Sequence, residues 1–502
     1  MSREHAARIC YQENAGGAAR NNTCSANSNA GIQVADHAAP TLEGNTCREN
    51  TAGMIFRDTR SVARQNECAA NQQAGIFVTG GAAPTLEGNT CRANTSDGIA
   101  YGETARGVAK GNTCADNREA GIFVTGGAAP TLEGNTCREN TLAGILYQAS
   151  AGGAARNNTC ASNQRAGIRV TGEAAPTLEG NTCRANTSDG IAYEGSARGV
   201  AKGNTCSGNR EAGIWVTGGA APTLEGNTCR ENTLMGIFYQ ASAGGAARNN
   251  TCAANQQAGI QVTDTAAPTL EGNTCNANQG PGIRVAEQAM PTLLGNTCRE
   301  NTLSGIILRG STSAVVLRNQ CNSNAQAGIL VAEQAAPTLE GNTCRGNQKY
   351  SGIDFVDSAR GTASGNECLA NKLAGIGVEN EAAPTLVGNT CSGNQEYGIL
   401  LKGQAGGDID DNLCTANKKG GIGVFDQVRA TLRRNTCANN LSNFLLSMNN
   451  DSGGIVVKGQ AQVTLTSNIC RNNKNYGIFV ASTARATRYG NSSTGNEYND
   501  ME

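Results

Sequence analysis

The chain has 502 residues, 40 basic against 41 acidic side chains for a net charge of −1, 65 glycines, one tryptophan and only 4% aromatic residues. So even a charge balance gives no electrostatic reason to expect nucleic acid or an anionic membrane as partner, and so few aromatics exclude a large aromatic-rich core. No apolar run is long enough to span a bilayer and MSREHAARIC lacks the apolar centre of a signal peptide, so the expectation is a cytoplasmic chain or a piece of a longer protein.

From its start the chain reads as repeats. AARICYQENAGGAARNNTC is close to AGILYQASAGGAARNNTC further on, so the chain opens inside a repeat with no evident N-terminal cap. Cysteines then run from Cys24 through Cys470 in steps of 23, with exceptions of 21 before Cys68, 24 before Cys368 and 33 before Cys470. Two residues before each stands an Asn (Asn22, Asn45, Asn66 and on to Asn468), and three residues after stands another (Asn27, Asn50, Asn71 and on to Asn473). An Asn side chain both donates and accepts, so identical Asn residues stacked at the ~4.8 Å strand spacing can bond to one another or to turn backbone along an axis.

The coil after Cys114 shows the unit: Gly121-Ile122-Phe123-Val124, Pro130-Thr131-Leu132 and Asn135-Thr136-Cys137, separated by Gly and polar residues. Alternation points Ile122, Val124, Leu132 and Cys137 inward, and Phe123 and Thr136 outward. A period of 2 inside a period of 23 means strands wound into coils. The predicted fold is therefore all-β, a right-handed parallel β-helix of about 21 coils with three short strands each, forming one domain over 1–502.

Two longer periods are nested in it. Coils with Leu86, Leu132, Leu178, Leu224 and Leu270 alternate with coils carrying Ala109, Ala155, Ala201 and Ala247 at that place, a period of 46 that stacks large on small. One residue on, Glu87, Lys110, Glu133, Arg156, Glu179 and Lys202 alternate in sign, which favours the in-register pairing. A period of 92 relates Arg92–Thr182 to Arg184–Thr274. Regular superrepeats fill 1–275; the coils of 276–502 diverge, so a distinctive site is expected there. An apolar insert at 441–451, with Phe444, Leu445, Leu446 and Met448, should cap a sheet or meet a partner, and the tail TRYGNSSTGNEYNDME should close the last coil.

Through the recurring PTLEGNTCxxN and AGIxV elements, almost the whole chain resembles the right-handed β-helix repeat proteins of the pectate-lyase-like superfamily, particularly those with NosD-like or carbohydrate-binding and sugar-hydrolysis-type repeats, also found in F-box β-helix proteins. The resemblance implies lyases, hydrolases and epimerases of acidic polysaccharides, which present clustered acids, often with Ca²⁺, beside Arg, Lys or His on one sheet. Against it, the two histidines, His5 and His37, stand apart from any acidic cluster, and neither the paired-Asp and Gly-His-Gly elements of polygalacturonases nor an Asp-Pro-His-Glu element is present. The expectation is no enzyme and no cofactor. Asp408, Asp410 and Asp411, with Asp354, Asp357, Glu379, Glu381 and Asp426 on nearby coils, form the best acidic group, and alternation makes Asp408 and Asp410 a candidate Ca²⁺ pair, with solvated turn carboxylates as the alternative.

The 21 cysteines offer no pairing pattern for disulfides and no converging ligand set for a metal, so they read as small buried fillers, with Cys10 out of phase. Binding has the better case. The middle residue of GIxV faces outward, giving a stripe that includes Phe77, Phe123, Leu146, Trp215, Phe238, Ile307 and Leu330. The expected function is a non-catalytic scaffold whose repetitive sheet binds protein or glycan; lateral self-association, through the sheet or through open coil ends, and coverage of the stripe by the adjoining loops are the alternatives left open. The alternatives are a polysaccharide-active enzyme with its site in the divergent C-terminal third and, from the single Thr file of Thr23, Thr46, Thr90, Thr113 and Thr136, ice binding.

Overall fold

A computed structural model describes residues 8–441, 452–498 and 500. Among these the regular elements are all β-strands, most of three residues, wound as a parallel β-helix of about 21 turns and ~23 residues per turn that builds three parallel sheets. The expected fold is the observed one. His5 and the apolar insert, apart from the exposed Leu441, lie outside the described residues. The chain separates into two units, Met1–Thr251 and Cys252–Glu502.

In the first unit the register is set residue on like residue: Cys91 faces Cys114, Leu86 faces Ala109 and Glu87 faces Lys110 across neighbouring turns. At the corner before each cysteine strand the Asn file works as a relay. Asn112 Oδ1 accepts both the backbone N–H and the side-chain amide of Asn89 (2.9 Å each), and Asn112 Nδ2 donates to the Leu86 carbonyl at 2.9 Å. A second file at the next corner does the same, Asn117 Oδ1 accepting from Asn94 N (3.1 Å) and Nδ2 (2.9 Å). Turn amides that cannot pair within strands are thereby satisfied in a dry interior.

The glycine of each AGIxV element sits where the chain passes closest to itself. A Cβ on Gly121 would lie 2.6 Å from the Gly144 carbonyl oxygen and 2.9 Å from both Asn140 Nδ2 and Cys137 Cβ. Only Gly lets the first strand pack against that corner.

The large-on-small alternation of the second sheet has a counterpart in the first that the repeat pattern alone did not reveal. Turns with a small Ala109, Ala155 or Ala201 carry Tyr101, Tyr147 or Tyr193 at the inward position of the first strand, whereas turns with Leu132 or Leu178 carry Val124 or Val170, and all of these are buried. Each turn thus fills the same cross-section with a different pair, as close packing requires. The hydroxyls of Tyr101, Tyr147 and Tyr193 are buried with no hydrogen-bond partner.

The second unit repeats the plan, and toward its end the first-sheet strands lengthen to five residues each in Tyr397–Leu401, Gly420–Val424 and Gly453–Val457. There Tyr397 and Phe425 meet edge to face, 5.6 Å between ring centres. Gly423 makes the room, since a Cβ there would lie 2.7 Å from the Phe425 ring and 3.0 Å from that of Tyr397. In the tail, the Tyr498 ring lies 5.5 Å from that of Tyr476, and Asp500 Oδ1 accepts from Ile478 N at 2.8 Å.

All 21 cysteines are free thiols; Cys10 is exposed and the other twenty are buried. Burial pushes the Cys321 thiol well above its ordinary value, so it stays protonated and unreactive as a core filler.

Candidate functional site

The outward stripe of the first sheet is less open than alternation alone suggested. Phe77 is exposed at 37%, but Phe123, Trp215, Phe238 and Leu330 are half-buried, and Leu146 and Ile307 are buried. That corrects the expectation of a continuous exposed stripe. The physical reason is coverage from the adjoining loop: Ala120 and Ala143, next to the AGIxV glycine, close over Leu146 together with Phe123. Alternation gives the direction of a side chain and says nothing of what lies above it.

The acidic group expected in the C-terminal third does not converge. Asp408 is exposed on the second sheet, and Asp410 is engaged by the Arg434 guanidinium. Among the described residues no three His, Cys, Asp or Glu side chains come together as a metal site. Asp354 is buried and accepts the Ser351 backbone N–H at 3.1 Å, and burial pushes it up to about 6. It serves the turn that carries the extra residue before Cys368.

A groove lies instead inside the regular half, over the first sheet, with a volume of about 770 Å³. Its floor is the stripe itself in register, Arg169 beside Ala192 and Ala192 beside Trp215. Buried Ala192 leaves a gap between the two large side chains. Its wall comes from the loop before each first strand, which supplies Arg165, Ser188, Asp189, Arg210 and Glu211. Leu234 adds an apolar edge.

Charges in the groove are ordered. The Arg169 guanidinium holds the Glu194 carboxylate with two bonds, Nε to Oε1 at 2.9 Å and Nη2 to Oε2 at 2.6 Å, which fixes its plane. Arg165 and Arg210 make no ion pair among the described residues. Ser188 Oγ lies 2.8 Å from Asp189 Oδ2 and 3.1 Å from Glu211 Oε2, while Asp189 Oδ1 accepts the Ala212 N–H at 2.9 Å. A hydroxyl has one proton to give, so both Ser188 contacts are satisfied only when one carboxyl is itself protonated. Burial supplies that condition by pushing Asp189 up to about 7. The resulting chain, Asp189 O–H to Ser188 Oγ–H to Glu211, can hold or pass a proton near neutral pH.

Of the sequence-predicted stripe, Arg169, Ala192 and Trp215 belong to this groove. The wall residues Arg165, Ser188, Asp189, Arg210 and Glu211 sit in repeat elements that look structural in the sequence. The signal is present at a spacing of 92 residues: Arg165, Arg169, Glu194 and Trp215 stand 92 residues after Gln73, Phe77, Gly102 and Phe123.

Three parallel sheets, inward Asn and Cys files and a groove on the outer face of one sheet define the parallel β-helix class of proteins. Within that class, residues 50–182, 143–274, 236–390 and 349–497 match the right-handed beta helix region family, and the chain belongs to it. No curated protein matches the chain. Among solved structures, a mutant of the periplasmic alginate epimerase AlgG is 13% identical, covering 69% of this chain and 78% of its own, with a TM-score of 0.34. The A-module of an Azotobacter vinelandii mannuronan C-5 epimerase is 14% identical, covering 67% and 88%, with a TM-score of 0.30. A mutant of the PL6-family alginate lyase AlyGC is 9% identical, covering 98% and 96%, with a TM-score of 0.29. These neighbours are epimerases and a lyase, and with them the expectation that the chain is no enzyme is withdrawn; at such identities the likeness itself shows the fold alone.

Proposed function

We propose that the chain is a polysaccharide-active enzyme that takes an acidic glycan along its first sheet and transfers a proton at one sugar in the groove around Asp189. The observation that carries this reading is a groove lined by Arg165, Arg169, Arg210 and Trp215 together with Asp189, whose carboxyl burial pushes up to about 7. With Asp189 protonated, three guanidiniums face the two carboxylates of Glu194 and Glu211. An incoming sugar carboxylate is drawn to the unpaired Arg165 and Arg210, with Arg169 held rigid behind them by Glu194. The flat indole of Trp215 offers an apolar face to a sugar ring.

The chemistry such a site supports is proton transfer next to a carboxylate. Guanidinium charge stabilises the negative charge that builds on the sugar acid as its neighbouring carbon loses a proton. The Asp189, Ser188 and Glu211 chain supplies a group that gives or takes a proton close to the working pH. Elimination and epimerisation both begin with that step.

The test is a panel of polyuronates, sulfated glycans and neutral glycans, scored for binding and for product. Polyuronates should bind and turn over, neutral glycans should not, and Arg169→Ala should weaken polyuronate binding about tenfold or more. Equal binding of neutral glycans, or an Arg169→Ala variant that behaves as the parent, contradicts the reading.

A further inference from the structure

The turns 92 residues before the groove have the same proton-sharing loop. Ser96 Oγ lies 2.9 Å from Asp97 Oδ2 and 3.2 Å from Glu119 Oε2, and Asp97 Oδ1 accepts the Ala120 N–H at 2.9 Å. Arg118 stands 92 residues before Arg210. What changes is the floor. Arg169 and Glu194 form an ion pair in the later turns, whereas the places 92 residues earlier hold Phe77 and Gly102. The exchange is coupled in space: a Cβ on Gly102 would lie 3.8 Å from the Phe77 ring, so the bare glycine leaves open the side of the ring that a longer residue would cover.

The earlier floor is therefore uncharged and aromatic. Phe77 is the exposed member at 37%, Phe123 is half-buried, and Ala100, in register with both, is buried between them. Two flat rings two turns apart stand ~10 Å from each other along the sheet. Exposed Gln72 and Gln73 lie on the loop beside Phe77 and bring amide donors and acceptors. Trp215 lies four turns beyond Phe123 on the same face of the same unit, ~19 Å away.

We infer that Phe77 and Phe123 form a second subsite for the polymer held at Arg169 and Trp215, one that takes the apolar faces of its pyranose rings rather than its carboxylates. This rests on the acidic-glycan reading of the groove. A regular polymer is the occupant because the two rings stand on one sheet face, separated by a flat gap, in the same column of outward residues as the groove, with only the buried Leu146 between Phe123 and Arg169. Charge is needed once to select an acidic chain; aromatic contact further along adds affinity for length without demanding a second carboxylate in register.

The experiment is calorimetry of the full chain with polyuronate oligomers, from disaccharides up to oligomers long enough to span both sites, on the parent, Phe77→Ala, Phe77→Ala/Phe123→Ala and Arg169→Ala. Long oligomers should bind the parent about tenfold or more tighter than short ones, as a second linked contact does. Phe77→Ala should remove most of that gain and leave short-oligomer binding unchanged; because Phe77 is exposed, this single variant tests the subsite even where the double variant fails to fold. Arg169→Ala should weaken all lengths. Affinity independent of length, or a gain that survives Phe77→Ala, overturns the subsite while leaving the groove standing. Failure of every length to bind the parent overturns both.

Discussion

Asn112 shows how much a single side chain carries here. Fully buried, its carboxamide accepts from the backbone and side chain of Asn89 and donates to Leu86. Replacing Asn112 with Leu strands the Asn89 amide and the Leu86 carbonyl, each worth roughly 1–3 kcal/mol when buried and unpaired. A loss of about 3 kcal/mol or more in urea unfolding is expected, far above the effect of Lys110→Ala, whose half-exposed contact with Glu133 at 4.0 Å lies at the limit of an ion pair. Comparable losses for the two variants would show that the Asn file does not hold the turns. The buried acids give a second residue-scale expectation. Burial raises Asp97 to about 6 and Asp189 to about 7 from an ordinary 3.8. Between these values the folded chain keeps protons that the unfolded chain has lost, so their contribution to stability is complete below about pH 3.8 and falls as pH rises through 6 and then 7. From about pH 4.5 to about pH 8 the parent should lose on the order of a few kcal/mol more than Asp97→Asn/Asp189→Asn; parallel pH curves would refute the raised values.

At the level of the turn, the pairing of Tyr with Ala and of Val with Leu predicts coupling between two sheets. Tyr101→Val alone opens a cavity and should cost about 2–4 kcal/mol, and Ala109→Leu alone overfills its turn at about 1–3 kcal/mol. Together they recreate the neighbouring Val124 and Leu132 pair, so the double variant should be at least about 1 kcal/mol better than the sum. Strict additivity would mean that the alternation has no packing role. The turn is also the level at which the fold was legible in sequence. Asn, Cys and Gly recur because the corners they fill admit no substitute, so turn length, strand faces and register are all written in the spacing of these residues. Coverage is not: Leu146 and Ile307 face outward as alternation requires and are nevertheless buried, Leu146 because Ala120, Ala143 and Phe123 pack against it.

On the scale of the whole molecule, repetition both revealed the fold and concealed the site. Near-identical copies imply an array without a distinctive centre in the regular half, and divergence after Asn276 points to Asp408 and Asp410, one of which is exposed while the other is engaged by Arg434. The groove instead arises from four differences between turns 92 residues apart, Gln73 to Arg165, Phe77 to Arg169, Gly102 to Glu194 and Phe123 to Trp215, set against a loop of Ser188, Asp189 and Glu211 that recurs as Ser96, Asp97 and Glu119. A duplicated scaffold can hold one copy of a feature steady while the other changes. The family's fold supplies the sheet, and the proposed activity rests on the few altered residues.

The most direct test of that account is polyuronate turnover by the parent and by Asp189→Asn, followed across pH with folding checked by circular dichroism. The account predicts a parent profile with a limb near pH 7 and a loss of about 100-fold or more in Asp189→Asn at unchanged fold, while Asp408→Ala retains parent activity. Turnover that survives Asp189→Asn, or is abolished by Asp408→Ala, would contradict it.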